Sequence, residues 1–303
     1  MRGAPLPDLK RPITANAPLL FVLLWSTGFI GAKYGLPYAE PFTLLFLRFV
    51  LALLLLAPLV WWLRPAMAMS LAECGHLMVS GLLLHGMYLG GVYVAIKLDL
   101  SAGMTALIVG AQPVLTSLAA PLLFGERPRF AHWAGLVLGF AGIYLILGGG
   151  AEADVAPAAL LAAVAALFGI TVGTLYQKRF CARHDLLAVT VYQYLPTVAL
   201  FGLGALLFET RTVEWTAQFV AALLWLVFAL SLGAILLLTW LIKHGEASKV
   251  SSLFYLVPPV TAVMAWLLFD EPLGWLKVAG IALVALGVWL VMRRQPASAA
   301  APE

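Results

Sequence analysis

Runs of about twenty apolar residues, parted by short polar connections, recur along the whole of this chain. The stretch "FTLLFLRFVLALLLLAPLVWWL" at 42–63 is typical and holds a single charge. A helix of roughly 20 such residues spans a bilayer core. Ten segments qualify: 17–35, 41–63, 72–96, 102–124, 130–148, 157–177, 188–208, 216–242, 249–269 and 274–292. The 303 residues are 63% hydrophobic and 11% charged, with a mean hydropathy of +1.00. A soluble domain carries about 25% charged residues, and no water-soluble fold of this size hides so much apolar surface. The fold class expected is an all-α integral membrane protein with ten transmembrane helices. The connections are too short for an extramembrane domain.

The placement of Lys and Arg orients the chain. With the N-terminus inside, thirteen basic residues fall on the cytoplasmic side and four (Lys33, Lys97, Arg211 and Lys277) outside. The remaining one, Arg48, lies within a span. Both termini are therefore expected in the cytoplasm, as a segment 1–16 and a tail 293–303. The basic balance, 18 Lys+Arg against 14 Asp+Glu, reflects these loops rather than a nucleic-acid partner. Cys74 and Cys181 fall on the cytoplasmic side and imply no disulfide framework. The first apolar segment shows no small-residue cleavage site, so it reads as a membrane helix and not a removed signal.

Residues 100–147 align without a gap on 245–292, with 13 identities in 48 positions. The identities include Pro113/Pro258, Thr116/Thr261, Leu122/Leu267, Phe124/Phe269, Glu126/Glu271, Gly135/Gly280 and Gly142/Gly287. Similarity among Leu- and Ala-rich helices supplies some of these, but not a shared Pro, Glu and two Gly. Each half, 17–148 and 157–292, then holds five spans. An odd number reverses the second half, giving an inverted repeat, an architecture typical of secondary transporters.

The pieces "LLWSTGFIGAKYGL", "LLFLRFVLALLLL" and "LSAGMTALIVGAQPVLTSLAAPLLFGERP", followed by a Gly-spaced fifth helix and a divergent second copy, resemble the EamA-type branch of the drug/metabolite transporter superfamily. The resemblance covers nearly the whole chain. It implies two bundles of five helices, a central cavity, and export of small metabolites across a bacterial-type inner membrane. Amino acids, including aromatic ones, are among the substrates it admits. The motifs do not separate an aromatic amino acid exporter from its paralogues.

No Asp or Glu sits near the middle of any expected span. That argues against proton coupling through a buried carboxylate, though not through histidine. His85 and Tyr88 are three residues apart and share one face of the third helix. They read either as a substrate-binding pair or as a hydrogen-bonded tie between helices. Trp25 and Ser26 stand at the centre of the first helix, Phe168 and Thr171 at the centre of the sixth. They line a cavity or pack the core. Gln112 lies beside Pro113, whose ring frees a carbonyl one turn earlier. Pro258 and Pro259 repeat that kink without the amide. Arg48 attracts a substrate carboxylate, or pairs with backbone carbonyls or snorkels outward, the structural reading being favoured. The candidate binding set is Trp25, Ser26, His85, Tyr88, Gln112, Phe168 and Thr171. The hairpins "KLDLSAG" (97–103) and "KHGEASK" (243–249) are candidate gates at opposite mouths.

The sequence holds no metal constellation, nucleophile elbow or nucleotide motif, so neither cofactor nor metal is expected. The expected partners are a small-molecule substrate and the lipid bilayer. A lipid-modifying enzyme is a rival reading, but its polar cluster at the bilayer surface is missing. A channel is a second rival, which the repeat disfavours.

Overall fold

The computed structural model describes residues 10–65, 67–112, 114–116, 119, 130–148, 155–181, 183–235, 237 and 254–292. Pro113, Glu126, the 243–249 hairpin and the tail 293–303 lie outside these. The helices are α1 (Lys10–Gly35), α2 (Pro41–Leu63), α3 (Leu71–Lys97), α4 (Ala102–Val109 and onward to Thr116), α5 (Phe130–Gly148), α6 (Pro157–Phe180), α7 (Leu186–Phe208), α8 (Ala217–Ala234), α9 (Val257–Phe269) and α10 (Trp275–Met292). Among the described residues there is no β-strand, only one isolated bridge between Ala39 and Val213. Among the described residues six helices are long and apolar enough to cross a membrane: α1 over Ala17–Gly35, α2, α3, α6, α7 and α8. The rest are shorter apolar helices. In hydrocarbon only a helix satisfies its own backbone, so near-continuous helix is the expected outcome of this composition.

Polar residues mark the helix starts. Ser70 and Glu73 form a capping box on α3. Ser101, Asp185 and Thr216 accept from backbone amides of α4, α7 and α8. Pro41 and Pro157 open α2 and α6, where a missing N–H costs nothing. α3 loosens into a π-helical stretch at Leu82–Met87, and α8 does so at Leu226–Ala234. Shifted by 145, positions 82–87 become 227–232, which fall inside the second stretch.

The helix contacts carry the same offset. Call two residues mates when they are 145 positions apart, so that α1 to α5 correspond to α6 to α10. The pairs α1–α9, α1–α8 and α2–α8 touch, and so do their counterparts α6–α4, α6–α3 and α7–α3. Three helices touch their own counterparts: α2–α7, α4–α9 and α5–α10. The α5–α10 contact shows this in atoms. A Cβ on Gly142 would meet the Gly280 carbonyl oxygen at 2.7 Å, and one on Gly287 would meet that of Gly135 at 2.6 Å. Gly142 and Gly287 are mates, as are Gly135 and Gly280. The two backbones approach this closely only where side chains are absent.

One end of the bundle gathers the C-terminus of α1, the start of α2, the α3–α4 turn and the α7–α8 connection. Glu209 accepts from the amides of Phe42 and Thr43 there, both at 2.7 Å, and so caps α2. Glu40 accepts from the amide and hydroxyl of Thr210, and that hydroxyl holds the Glu40 carboxyl below the usual carboxylate range. Gly142→Val should lower stability by about 1–3 kcal/mol through overpacking. The check is a fall in detergent melting temperature, larger than that of Val137→Leu on the exposed face of α5. Equal melting of both variants would show that the close approach is not required.

Candidate functional site

A small cavity between helices is lined by Trp25 and Phe29 of α1, Tyr88 of α3, and Ala106, Val109, Gly110 and Gln112 of α4. Ile170 of α6 and Phe254, Val257 and Pro258 at the head of α9 complete it. Its free space is about 20 Å³, room for about one water. Trp25, Phe21 and Phe254 form an aromatic cluster, with Phe254 edge-on to Trp25 at 5.2 Å and to Phe21 at 5.2 Å. Tyr88, Trp25 and Gln112 are the lining residues with polar side-chain groups, and the Gln112 amide donates to Thr116 Oγ1 at 3.1 Å. Three pairs of lining residues are mates: Trp25 with Ile170, Val109 with Phe254, and Gln112 with Val257. The cavity thus takes both members of three pairs of residues set 145 positions apart.

Of the seven residues singled out from the sequence, the structure brings Trp25, Tyr88 and Gln112 together on this wall. Ser26 is buried behind it and donates to the carbonyls of Val22 (2.7 Å) and Val257 (3.3 Å), tying α1 to α9. Thr171 donates to the Leu167 carbonyl of its own helix at 2.6 Å. Phe168 lies on the outer surface of the bundle, 52% exposed, and Ile170 is the α6 side chain that reaches the cavity. Pro258 lines the cavity and meets Gly110, where a Cβ would lie 2.2 Å from its Cγ. Pro259, next to it, is half-buried.

His85 sits inside the π-helical stretch of α3, away from the cavity wall. Its ring packs between Phe49 at 5.5 Å and Tyr194 at 5.0 Å. Its Nε2 lies 3.3 Å from Gln193 Oε1. The Gln193 amide in turn donates to Ser80 Oγ at 2.6 Å. Arg48 is 5% exposed. Its Nε donates to Ser231 Oγ at 3.0 Å and its Nη1 to the Tyr93 hydroxyl at 3.2 Å. The Tyr194 hydroxyl donates to the Ser231 carbonyl at 3.1 Å. Arg48 thus joins α2, α3 and α8 and does not line the cavity. No carboxylate among the described residues lies within ion-pair distance of it.

Phe29 and Phe254 were not singled out in the sequence. Phe29 follows Trp25 by four residues and so shares its face, a signal the spacing carries. Phe254 precedes Pro258 by four, just outside the regular helix, where periodicity is silent.

A family model described as the EamA-like transporter family matches residues 16–148 and again 157–293. The chain belongs to the EamA-like transporter family. It is 30% identical over 295 residues to the uncharacterized transporter YvbV of Bacillus subtilis, covering 96% of this chain and 95% of that protein. It is 26% and 25% identical to proteins of Salmonella typhimurium and Escherichia coli named as probable amino-acid metabolite efflux pumps. Both alignments cover 90% of this chain and 92% of the relative. A solved crystal structure superposes with a TM-score of 0.66 at 24% identity, covering 90% of this chain and 94% of the other, and speaks to the fold alone. The protein is thus a multi-pass membrane transporter of a family with bacterial members.

Arg48→Met should act on the fold and not on substrate choice. It leaves the Ser231 and Tyr93 hydroxyls without their cation, a loss of about 1–3 kcal/mol. The expected result is a lower melting temperature with unchanged relative rates across substrates. A changed substrate preference at full stability would place Arg48 in the binding site.

Proposed function

We propose that this chain is a secondary transporter that exports amino acids, or similar small amphipathic metabolites, across the inner membrane by alternating access. It does so with ten spans in two inverted five-helix repeats, 17–148 and 157–292, both termini being cytoplasmic. The observation that carries the reading is the cavity lined by mate pairs. A site on the symmetry line of an inverted repeat is reached from either face when the halves exchange shapes. The doubled family match and the helix contacts that recur at the 145 offset support the repeat. The names of the enteric relatives support amino-acid metabolites as cargo.

The cavity wall fits that cargo. Trp25, Phe29 and Phe254 offer aromatic surface to an apolar side chain. Gln112 and the Tyr88 hydroxyl offer directed polar groups to an ammonium and a carboxylate, which are costly to leave unpaired. The mates of Trp25 and Gln112 are Ile170 and Val257, so polarity is concentrated on one side. An amphipathic substrate is thereby given one orientation. Ligand pockets run to about 300 Å³ or more. On this reading the cavity widens to take a substrate. With no acid at the site, flux is expected to run downhill along the substrate gradient.

Counterflow in proteoliposomes against a panel of amino acids tests the cargo. Trp25→Ala should weaken bulky apolar substrates about tenfold, the loss of roughly 60 Å² of apolar contact. Small substrates should change little. No counterflow with any amino acid would remove this substrate class, and equal loss for all substrates would remove the aromatic wall as a selector.

Cysteine labelling tests the topology. Thiols placed in 126–131 should react from the cytoplasm and those in 270–274 from outside. Reaction of both loops from one side would remove the inverted repeat and the mechanism built on it.

A further inference from the structure

One carboxylate ties three elements together at the end of the bundle that carries the α3–α4 turn. α9 ends at Asp270, whose left-handed backbone (φ 52°) suits an aspartate and turns the chain. The next residue, Glu271, reaches across to α4. Its Oε1 accepts from the Ala102 amide at 3.0 Å and its Oε2 from the Gly103 amide at 3.2 Å. The same Oε1 forms an ion pair with Nζ of Lys33, in the last turn of α1. The ammonium also lies 4.5 Å from the centroid of the Phe269 ring. The Glu271 side chain is 10% exposed and that of Lys33 31%. The carboxylate thus meets both a cation and the partial positive charge of a helix N-terminus in a partly dry setting, where such bonds are strong.

The elements joined here are those that wall the cavity. α1 supplies Trp25 and Phe29, α4 supplies Ala106 through Gln112, and α9 supplies Val257 and Pro258. While Glu271 holds α1 and α4 to the end of α9, these helices cannot part at this end. We propose that Glu271, Lys33 and the N-terminus of α4 form a latch that closes the cavity on the outer side and must break in every transport cycle. The inference rests on the alternating-access reading. It adds to it the contact whose rupture opens one mouth. A static tie would look similar in one conformation but would leave access to the cavity unchanged when cut.

Access is therefore the quantity to measure. The reporter is Ala106→Cys at the cavity wall, in a chain whose Cys74 and Cys181 are replaced by Ser. A membrane-impermeant maleimide is added to the outer face of right-side-out vesicles. Glu271→Gln and Lys33→Met should each speed labelling about tenfold, and Glu271→Asp should fall between them and the parent. Unchanged labelling in both folded variants would overturn the proposal.

A second arm locks α4 to α9 covalently. A Cβ on Gly103 would stand 3.7 Å from the Ala262 Cβ, within the range a disulfide needs. Oxidised Gly103→Cys/Ala262→Cys should lose labelling and transport, and reductant should restore both. Transport that persists with the disulfide verified by mass would also overturn the latch. The labelling arm needs no substrate. A failed amino-acid counterflow with a positive labelling result would therefore condemn the cargo and leave the latch standing.

Discussion

Everything in this molecule follows from the lack of water around its backbone and its few polar side chains. A chain that is 63% hydrophobic has no solvent with which to satisfy a buried hydroxyl or amide, so each must find its partner inside. Ser26, Thr171, Thr174, Thr190 and Thr197 solve this with carbonyls one turn back in their own helices. Gln193, Ser80 and His85 solve it by meeting one another between α3 and α7. Arg48 solves it with two hydroxyls and an aromatic face 5.6 Å away. The bonds of Gln193, Ser80, His85 and Arg48 cross between helices and so fix which helices stand together, because leaving any of these groups unpaired costs more than most packing contacts return.

The close packing of the halves comes from the opposite device, the removal of side chains. Gly142 and Gly287 let α5 and α10 approach backbone to backbone. Between these polar and glycine contacts lies a cavity whose two sides have diverged. The positions are paired by the repeat, yet one copy carries Trp25 and Gln112 where the other carries Ile170 and Val257. In the proposed mechanism, paired positions preserve the geometry by which two halves would exchange roles. Under the same proposal, the difference in chemistry is what a substrate would bind. A cavity with identical sides would offer an amphipathic molecule two equivalent orientations and no preference.

The sequence shows some of this and hides the rest for definable reasons. Spans, caps and the offset of 145 are legible because they depend on local composition and on comparing the chain with itself. Depth along a helix is also legible, and so Trp25, Tyr88 and Gln112 emerge as candidates. Facing is not legible, because helices apolar all round have no phase to read. That is why Phe168 is as plausible in the sequence as Ile170, two residues away, which reaches the cavity. Glu271 is visible as a repeated residue, but its partners are not. Ala102 and Lys33 lie 169 and 238 positions from it. No local pattern announces a carboxylate leaving its own loop to cap a distant helix.

The strength of that contact has to suit its place in a cycle. A latch buried in hydrocarbon would gain more from its charges but would also be costly to open, since both ions would be left unpaired in a poor solvent. A latch fully in water would be screened to almost nothing. Lys33, at 31% exposure, keeps a path to solvent, while Glu271, at 10%, is held by backbone amides that do not move away unless α4 does. Parting the helices at this end hydrates both charges as it separates them, and the cost of breaking the bonds is offset by the water that enters. The ion pair then biases the closed form without trapping it. Its position in the last turn of α1 and the first turn of α4, rather than mid-span, is what makes that balance available to a chain with so little else that is charged.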